Sequence, residues 1–168
     1  MPGNDPPAAV VRVADESQLD PLAERLVAVL PRPAFVGLSG DLGAGKTTFV
    51  KAVAAACGLD RTEVISPTFG LIHEFSLPPL AGLPDRLVHA DLYRLTGPDE
   101  LGETGWDDAI AGDAWVFVEW PERLGTLRPA DRIDVAIAIE SAIARRITLT
   151  PHGPRAAAAV AALGPPAA

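Results

Sequence analysis

The chain has 168 residues, of which 48% are apolar and 21% are charged, and its formal net charge at pH 7 is −8. This length and composition predict one folded domain with a buried core and exclude a disordered chain. The negative charge argues against a surface that coats nucleic acid, because phosphate backbones are bound by clustered Lys and Arg.

Cysteine content and hydropathy indicate the cellular compartment in which the protein is expected to function. The single cysteine, Cys57, excludes an intramolecular disulfide, and its apolar neighbours predict a buried side chain. The first residues lack the basic and apolar pattern of a secretion signal, and we find no run of about 18 apolar residues. We therefore expect a cytoplasmic protein with no membrane contact.

Composition changes divide the chain into three parts. Residues 1–9 are rich in Pro and Gly and predict a flexible arm, residues 10–151 form the predicted domain, and residues 152–168 form an Ala- and Pro-rich tail. The alanine run of the tail permits a short helix but shows no distinctive apolar face. Both ends are therefore expected to be dispensable for chemistry.

The domain begins with a predicted amphipathic helix over residues 15–30, where leucines recur every three or four positions. An apolar run at 34–39 predicts a buried strand, and residues 46–57 predict a second helix. The later elements are strands at 69–75, 86–92, 114–120, 132–140 and 146–150, and short helical segments at 98–102 and 107–110. This order predicts an α/β fold with a mixed, mostly parallel central sheet flanked by helices and an antiparallel C-terminal hairpin.

The segment GDLGAGKTTF (residues 40–49) matches the phosphate-loop pattern G-x-x-x-x-G-K-[ST] between a strand and a helix, so the fold is predicted to be P-loop NTPase-like. Its glycines let backbone N–H groups turn toward a phosphate, and the helix N-terminus adds positive charge. Lys46 is expected to reach the β- and γ-phosphates, Thr47 to bind Mg²⁺, and Thr48 to contact the α-phosphate. Asp41 is expected to point outward, because an inward carboxylate would repel the anion.

A phosphate loop needs a second acidic ligand for Mg²⁺, and two predicted strands end in a carboxylate. WVFVE (residues 115–119) has four apolar residues before Glu119. LVHAD (residues 87–91) is a weaker example of the same pattern of apolar residues before an acid, because His89 interrupts it. We expect Glu119 to be the main Mg²⁺ partner. Asp91 is expected to orient water or the outer shell of the metal.

Other residues carry weaker signals. SPTF (residues 66–69) lies where P-loop proteins carry a switch segment, so Thr68 either senses the γ-phosphate or belongs to a plain turn. Trp120 either flanks a ligand or packs. Arg145 and Arg146 either supply charge to the nucleotide or lie at a solvated hairpin end. The three histidines have no metal-ligand spacing, so no zinc site is expected.

Three classes of function fit these residues. An ATPase and a small-molecule kinase use the same phosphate loop, but a kinase usually needs an Arg-rich lid, and residues 91–120 hold only Arg94. The third class is a nucleotide-gated binding module with negligible turnover. Adenine is favoured over guanine, because Lys46 and Lys51 are the only lysines and neither forms an [NT]-K-x-D motif.

Four motifs occur in the order GDLGAGKTTF, SPTF, HADLYRL (residues 89–95) and VEWPERL (residues 118–124). On these motifs the chain resembles the TsaE (YjeE) family of tRNA threonylcarbamoyladenosine biosynthesis ATPases. The resemblance implies an ATPase that binds ATP and Mg²⁺ and supports the TsaB–TsaD complex in modifying ANN-decoding tRNAs, with hydrolysis resetting that complex. An acidic chain suits this role, because the partners would hold the tRNA.

The resemblance also implies roles for residues at matching positions. Thr47 and Glu119 would bind Mg²⁺, and Trp120 would belong to the functional surface. The segment near residues 14–15 and a basic residue of the final hairpin would touch the nucleotide. The residues predicted to bind the nucleotide are Asp41, Leu42, Gly43, Ala44, Gly45, Lys46, Thr47, Thr48 and Arg146, with Arg145 as the alternative to the last. The residues predicted to be catalytic are Lys46, Thr68, Asp91 and Glu119.

Overall fold

The fold is built on one sheet in the computed structural model, which describes residues 7–65, 67 and 71–165. Within these ranges the strands are β1 (Ala9–Val13), β2 (Ala34–Ser39), β3 (Ile72–Ser76), β4 (Arg86–Asp91), β5 (Ala114–Glu119), β6 (Arg132–Ile139) and β7 (Arg145–His152). The helices are α1 (Leu19–Val29), α2 (Lys46–Ala56), α3 (Trp106–Ile110) and α4 (Pro154–Leu163). Short 3₁₀ segments lie at Glu16–Gln18, Arg61–Glu63, Pro98–Leu101 and Pro121–Leu127.

The sheet has the strand order β1-β7-β6-β2-β5-β4-β3. Its four central strands, β6, β2, β5 and β4, run parallel to one another, and β3, β7 and β1 pair antiparallel at the two sides. The predicted mixed α/β sheet and its antiparallel C-terminal hairpin, β6–β7, are confirmed. Because the parallel strands end at one edge, the loop after β2 and the acids that end β4 and β5 meet there.

The strand β1 was not predicted. Because β1 pairs with β7, the β6–β7 hairpin does not form the edge of the sheet. It pairs with β7 in antiparallel register, with Val11 opposite Ile147. Val11 and Val13 are buried, whereas Val10 is 52% exposed. This alternation suits a strand with one covered face, but five residues next to a Pro-rich segment were too few to show it in the sequence.

Side-chain alternation gives the sheet two apolar layers. On one face Leu87, Trp115 and Phe117 join the core formed with α1, α2 and α4, and on the other Val88 and Val116 pack with α3 and the nearby loops. Successive strand residues point to opposite faces. Glu119 and His89 therefore point to the same face as α2, which begins at the phosphate loop.

Cys57 lies in the larger apolar layer with 1% of its surface exposed, as the sequence predicts. Burial raises the pKa of its thiol to about 11, because a thiolate loses its hydration in apolar surroundings. The thiol is therefore neutral at physiological pH and packs as a small apolar group.

The C-terminal helix α4 has the apolar face that the alanine-rich sequence did not reveal. Its buried residues are Ala156, Ala159, Val160 and Leu163, which are spaced as one side of a helix. The helix packs on α1 and β7. Asp131 accepts hydrogen bonds from the N–H groups of Arg155 (3.0 Å) and Ala156 (3.1 Å), and Arg25 donates to the carbonyl oxygen of Pro165 (2.8 Å). Both ends of α4 are thus fixed to the domain.

Replacing Leu163 by alanine is expected to lower the free energy of unfolding by about 2–3 kcal/mol, the usual cost of a cavity in a packed core. Leu163 is 5% exposed and lies against the main core. Urea denaturation would measure the change, with Ala161→Ser on the exposed side of α4 as the control. Equal stability of Leu163→Ala and wild type would show that α4 adds nothing to the domain.

Candidate functional site

The phosphate loop has the backbone geometry that its glycines predict. Gly40 follows β2 at φ 150°, and a Cβ there would lie 2.5 Å from the carbonyl oxygen of Ile137 in β6. Gly45 has φ 109° and is the N-cap of α2. Side chains are strained in both conformations, so these two glycines allow the loop to pass close to β6 and then enter the helix. The first N–H groups of α2 consequently face the loop without partners inside the helix.

Lys46 lies inside the loop with 6% of its surface exposed. Its Nζ donates to the carbonyl oxygens of Gly40 (2.6 Å) and Asp41 (3.0 Å) and lies 4.7 Å from the centre of the Trp120 ring. An ammonium group over an indole face is attracted by the ring electrons. Main-chain carbonyls and Trp120 thus hold the lysine at the mouth of the loop.

Behind the lysine, a buried carboxylate contacts the first turn of α2. Glu119, at the end of β5, is 3% exposed, and its Oε1 accepts a hydrogen bond from Thr47 Oγ1 at 3.0 Å. Oε2 of Glu119 lies 3.1 Å from His89 Nε2, and His89 is fully buried. The structure therefore brings together Thr47 and Glu119, the two predicted Mg²⁺ ligands.

Asp91 ends β4 directly beside Glu119 in the parallel register. Its Oδ1 accepts a hydrogen bond from the N–H of Tyr93 at 3.0 Å, which turns the chain away from the sheet. Asp91 and Glu119 line one cleft of about 270 Å³ together with Leu42, Gly43, Gly45, Lys46, Thr47, Thr48 and Trp120. This cleft unites most of the predicted nucleotide-binding and catalytic residues.

Trp120 has an unusual backbone at this cleft. Its φ of 60° is positive, which no other described residue except glycine shows. A bulky residue in this region is strained, and such strain is common at ligand sites. The indole packs against Tyr93, with ring centres 5.1 Å apart, and it also contacts the ammonium group of Lys46 and the smaller apolar layer. Trp120 thus packs against a neighbouring ring, and its contact with a ligand stays a prediction.

A second pocket, of about 200 Å³, lies on the other side of the loop. It is lined by Val13, Glu16, Leu19, Gly43, Ala44, Gly45, Thr48, Ile137, Ala142, Ile143, Arg145 and Ile147. Residues near 14–15 were predicted to touch the nucleotide. Their neighbours Val13 and Glu16 line this pocket. The mostly apolar lining, next to the phosphate loop, suits a flat nucleobase.

The hairpin brings Arg145, and not Arg146, to the loop. Arg145 Nε donates to the carbonyl oxygen of Ala44 at 2.8 Å. Arg146 is 58% exposed on its side chain and forms an ion pair with Glu140 at 2.5 Å, which Arg12 also contacts. Adjacent strand residues point to opposite faces, and of the two arginines only Arg145 lines the second pocket.

The remaining predicted residues lie at the rim of the loop or beyond the described ranges. Asp41 is exposed to solvent, and Leu42 is 69% exposed. Thr68 lies outside the described residues. Sequence reasoning missed the contact of His89 with Glu119. The sequence contained a signal for this contact. His89 interrupts an otherwise apolar strand, and it lies two positions before Asp91, so the two side chains share one face of the sheet.

Two features are absent from the described ranges. These ranges contain no group of three or more His, Cys, Asp or Glu side chains that would hold a metal ion by themselves. Among the same residues, no helix has the length and apolar character needed to cross a bilayer.

A glycine loop between a parallel strand and a helix, followed by a buried acid at the end of the neighbouring strand, defines a P-loop α/β protein. The family model "Threonylcarbamoyl adenosine biosynthesis protein TsaE" matches residues 13–147. The chain therefore belongs to the TsaE family, which assigns it to the biosynthesis of threonylcarbamoyladenosine in tRNA.

Individual relatives agree with this assignment. Proteins named tRNA threonylcarbamoyladenosine biosynthesis protein TsaE are 37% identical in Bacillus subtilis (132 residues, 78% of each chain) and 37% identical in Streptomyces coelicolor (143 residues, 82% of this chain and 93% of the relative). The Rickettsia bellii protein of the same name is 34% identical over 125 residues, 74% of this chain and 82% of its own. The crystal structure of Bacillus subtilis YdiB superposes with a TM-score of 0.72 at 27% identity, covering 96% of this chain and 97% of that one.

Proposed function

We propose that this protein is a magnesium-dependent ATPase that supports the TsaB–TsaD complex in the threonylcarbamoyladenosine modification of tRNA. The observation that carries the proposal is the 3.0 Å hydrogen bond between Thr47 Oγ1 and the buried carboxylate of Glu119, beside Lys46 in the loop. A hydroxyl, a carboxylate and an ammonium group at one cleft are the parts that phosphoryl chemistry uses.

The donor atoms suit Mg²⁺. This ion prefers oxygen ligands and usually takes one or two carboxylates together with substrate phosphates. Thr47 Oγ1 and Glu119 would hold it, Asp91 lies in the same cleft, and the nucleotide would complete the set. When bound, Mg²⁺ would neutralise charge that develops on the phosphate oxygens.

The chain's own groups would bind and orient the nucleotide. Lys46 would exchange its hydrogen bonds to the carbonyl oxygens of Gly40 and Asp41 for bonds to phosphate oxygens, which are charged and therefore stronger acceptors. The N–H groups at the start of α2 would bind the same phosphates. Asp91 would orient the attacking water, and Arg145 would keep the loop in place through Ala44.

The second pocket and the net charge bear on the base and on the partners. The mostly apolar pocket beside Arg145 would take the base, and we propose adenine, since the guanine motif is absent. The net charge of −8 fits a protein that meets tRNA through partners. The identity of those partners, TsaB and TsaD, rests on the family, and the cytoplasmic localisation stays a prediction.

ATP turnover, measured by phosphate release, tests this proposal. The chain would be assayed alone, with TsaB, with TsaD and with both, and each sample would be repeated with excess EDTA. We expect slow turnover alone, a several-fold increase with both partners, and loss of both rates in EDTA. Turnover that stays near zero with both partners would instead indicate a binding module, and a phosphorylated small molecule would indicate a kinase.

A further inference from the structure

A fully buried histidine, His89, lies in β4, the parallel strand next to the antiparallel strand β3. It points to the face covered by α2, between Leu87 and Asp91 along the strand, and none of its surface is exposed. It lines neither the phosphate cleft nor the second pocket. Direct contact with a nucleotide is therefore excluded by the geometry, and any effect on chemistry must pass through another side chain.

Among the described residues the ring of His89 makes one hydrogen bond, and its partner is Glu119. The Nε2 atom lies 3.1 Å from Glu119 Oε2, while Nδ1 is buried and has no hydrogen-bond partner among the described residues. An ionised carboxylate only accepts hydrogen bonds, so a hydrogen bond between these two atoms requires an N–H group at Nε2. Glu119 is thereby held from one side by His89 and from the other by Thr47.

Packing alone does not account for this histidine. An apolar side chain of similar size would fill the same space and would leave no buried nitrogen without a partner, which costs free energy. The polar ring adds one thing that an apolar residue lacks, the hydrogen bond that fixes the Glu119 carboxylate toward Thr47. The terminal torsion of a glutamate has a broad distribution, so a second hydrogen bond restricts the orientation of the carboxylate.

We propose that His89 is a positioning residue that orients Glu119 for Mg²⁺, so that it sets the affinity for the metal and not the affinity for the nucleotide. The inference rests on the proposed function, because it assigns Glu119 to the metal. Groups that orient metal ligands in this way commonly change metal affinity by about 10- to 100-fold when they are removed.

Two substitutions separate positioning from packing. His89→Leu removes the donor, whereas His89→Gln keeps an N–H near the position of Nε2. ATP binding would be measured by calorimetry in EDTA and across a Mg²⁺ titration. We expect His89→Leu to need about 10- to 100-fold more Mg²⁺, His89→Gln to respond nearly as wild type does, and all three proteins to bind ATP equally in EDTA.

His73→Leu is the matched control, because His73 lies directly opposite His89 on the neighbouring strand β3 and has no hydrogen bond to Glu119 among the described contacts. We expect it to respond to Mg²⁺ as wild type does. Equal Mg²⁺ responses of His89→Leu and wild type would overturn the inference, as would equal losses in the Leu and Gln variants. If wild-type protein binds ATP without any response to Mg²⁺, the proposed function is wrong, and the inference that rests on it is wrong as well.

A spectroscopic measurement on the wild type avoids any folding defect of the variants. Long-range proton–nitrogen NMR reports which imidazole nitrogen carries hydrogen, and the His89 signals can be assigned by their loss in His89→Gln. We expect a proton on Nε2 and a shift of this signal when Mg²⁺ and ATP are added. A proton on Nδ1 alone would rule out donation to Glu119 and overturn the inference.

Discussion

Replacing Lys46 by alanine is expected to weaken ATP binding about 100-fold, which corresponds to about 2.7 kcal/mol. The ammonium group is nearly buried, lies at the mouth of the phosphate loop and is one of only two lysines in the chain. No other Lys or Arg lines the cleft among the described residues, so the charge-assisted bonds that Lys46 would form with phosphate oxygens would have no replacement. Calorimetry in magnesium buffer measures the affinity directly.

Lys51→Ala is the control for this prediction. Lys51 lies further along the same helix and does not line the phosphate cleft. Its replacement by alanine removes the same charge from the chain. We expect it to bind ATP as wild type does. Because Lys46 also contacts two loop carbonyls, the unfolding temperatures of both variants and of wild type should first be compared without nucleotide. The stabilisation by ATP should then disappear only in Lys46→Ala. An unchanged dissociation constant for Lys46→Ala would contradict its role.

Replacing Glu119 by glutamine is expected to lower Mg²⁺-dependent hydrolysis at least about 100-fold, because the side chain keeps its shape but loses its charge next to the metal. ATP binding in EDTA should change little, since Glu119 faces Thr47 and not the loop amides. Phosphate release across a Mg²⁺ titration, with both partners present, gives the rate and the metal requirement together.

Glu122→Gln is the matched control for that substitution. Glu122 is exposed in the 3₁₀ segment directly after Trp120, so the same change of charge is made a few residues away. Its rate and Mg²⁺ requirement should equal those of the wild type. If Glu119→Gln keeps the wild-type rate at every Mg²⁺ concentration, another side chain holds the metal.

Local sequence determined the elements that build the site. The glycine spacing predicted where the loop lies, and α2 begins at Lys46 as predicted. The apolar run before Glu119 predicted a buried strand that ends in an acid, which β5 is. These features depend on neighbouring residues alone, because backbone freedom at glycine and the periodicity of buried side chains act over a few positions.

Contacts between distant segments were decided only by the tertiary structure. The strand β1 is held by β7, and the apolar face of α4 is defined by the core that it covers, so neither stood out in its own sequence. The choice of Arg145 over Arg146 depends on which face of the hairpin meets the loop. A shift of one residue reverses every side chain of a strand, so only the assembled sheet could place Arg145 at Ala44 and His89 at Glu119.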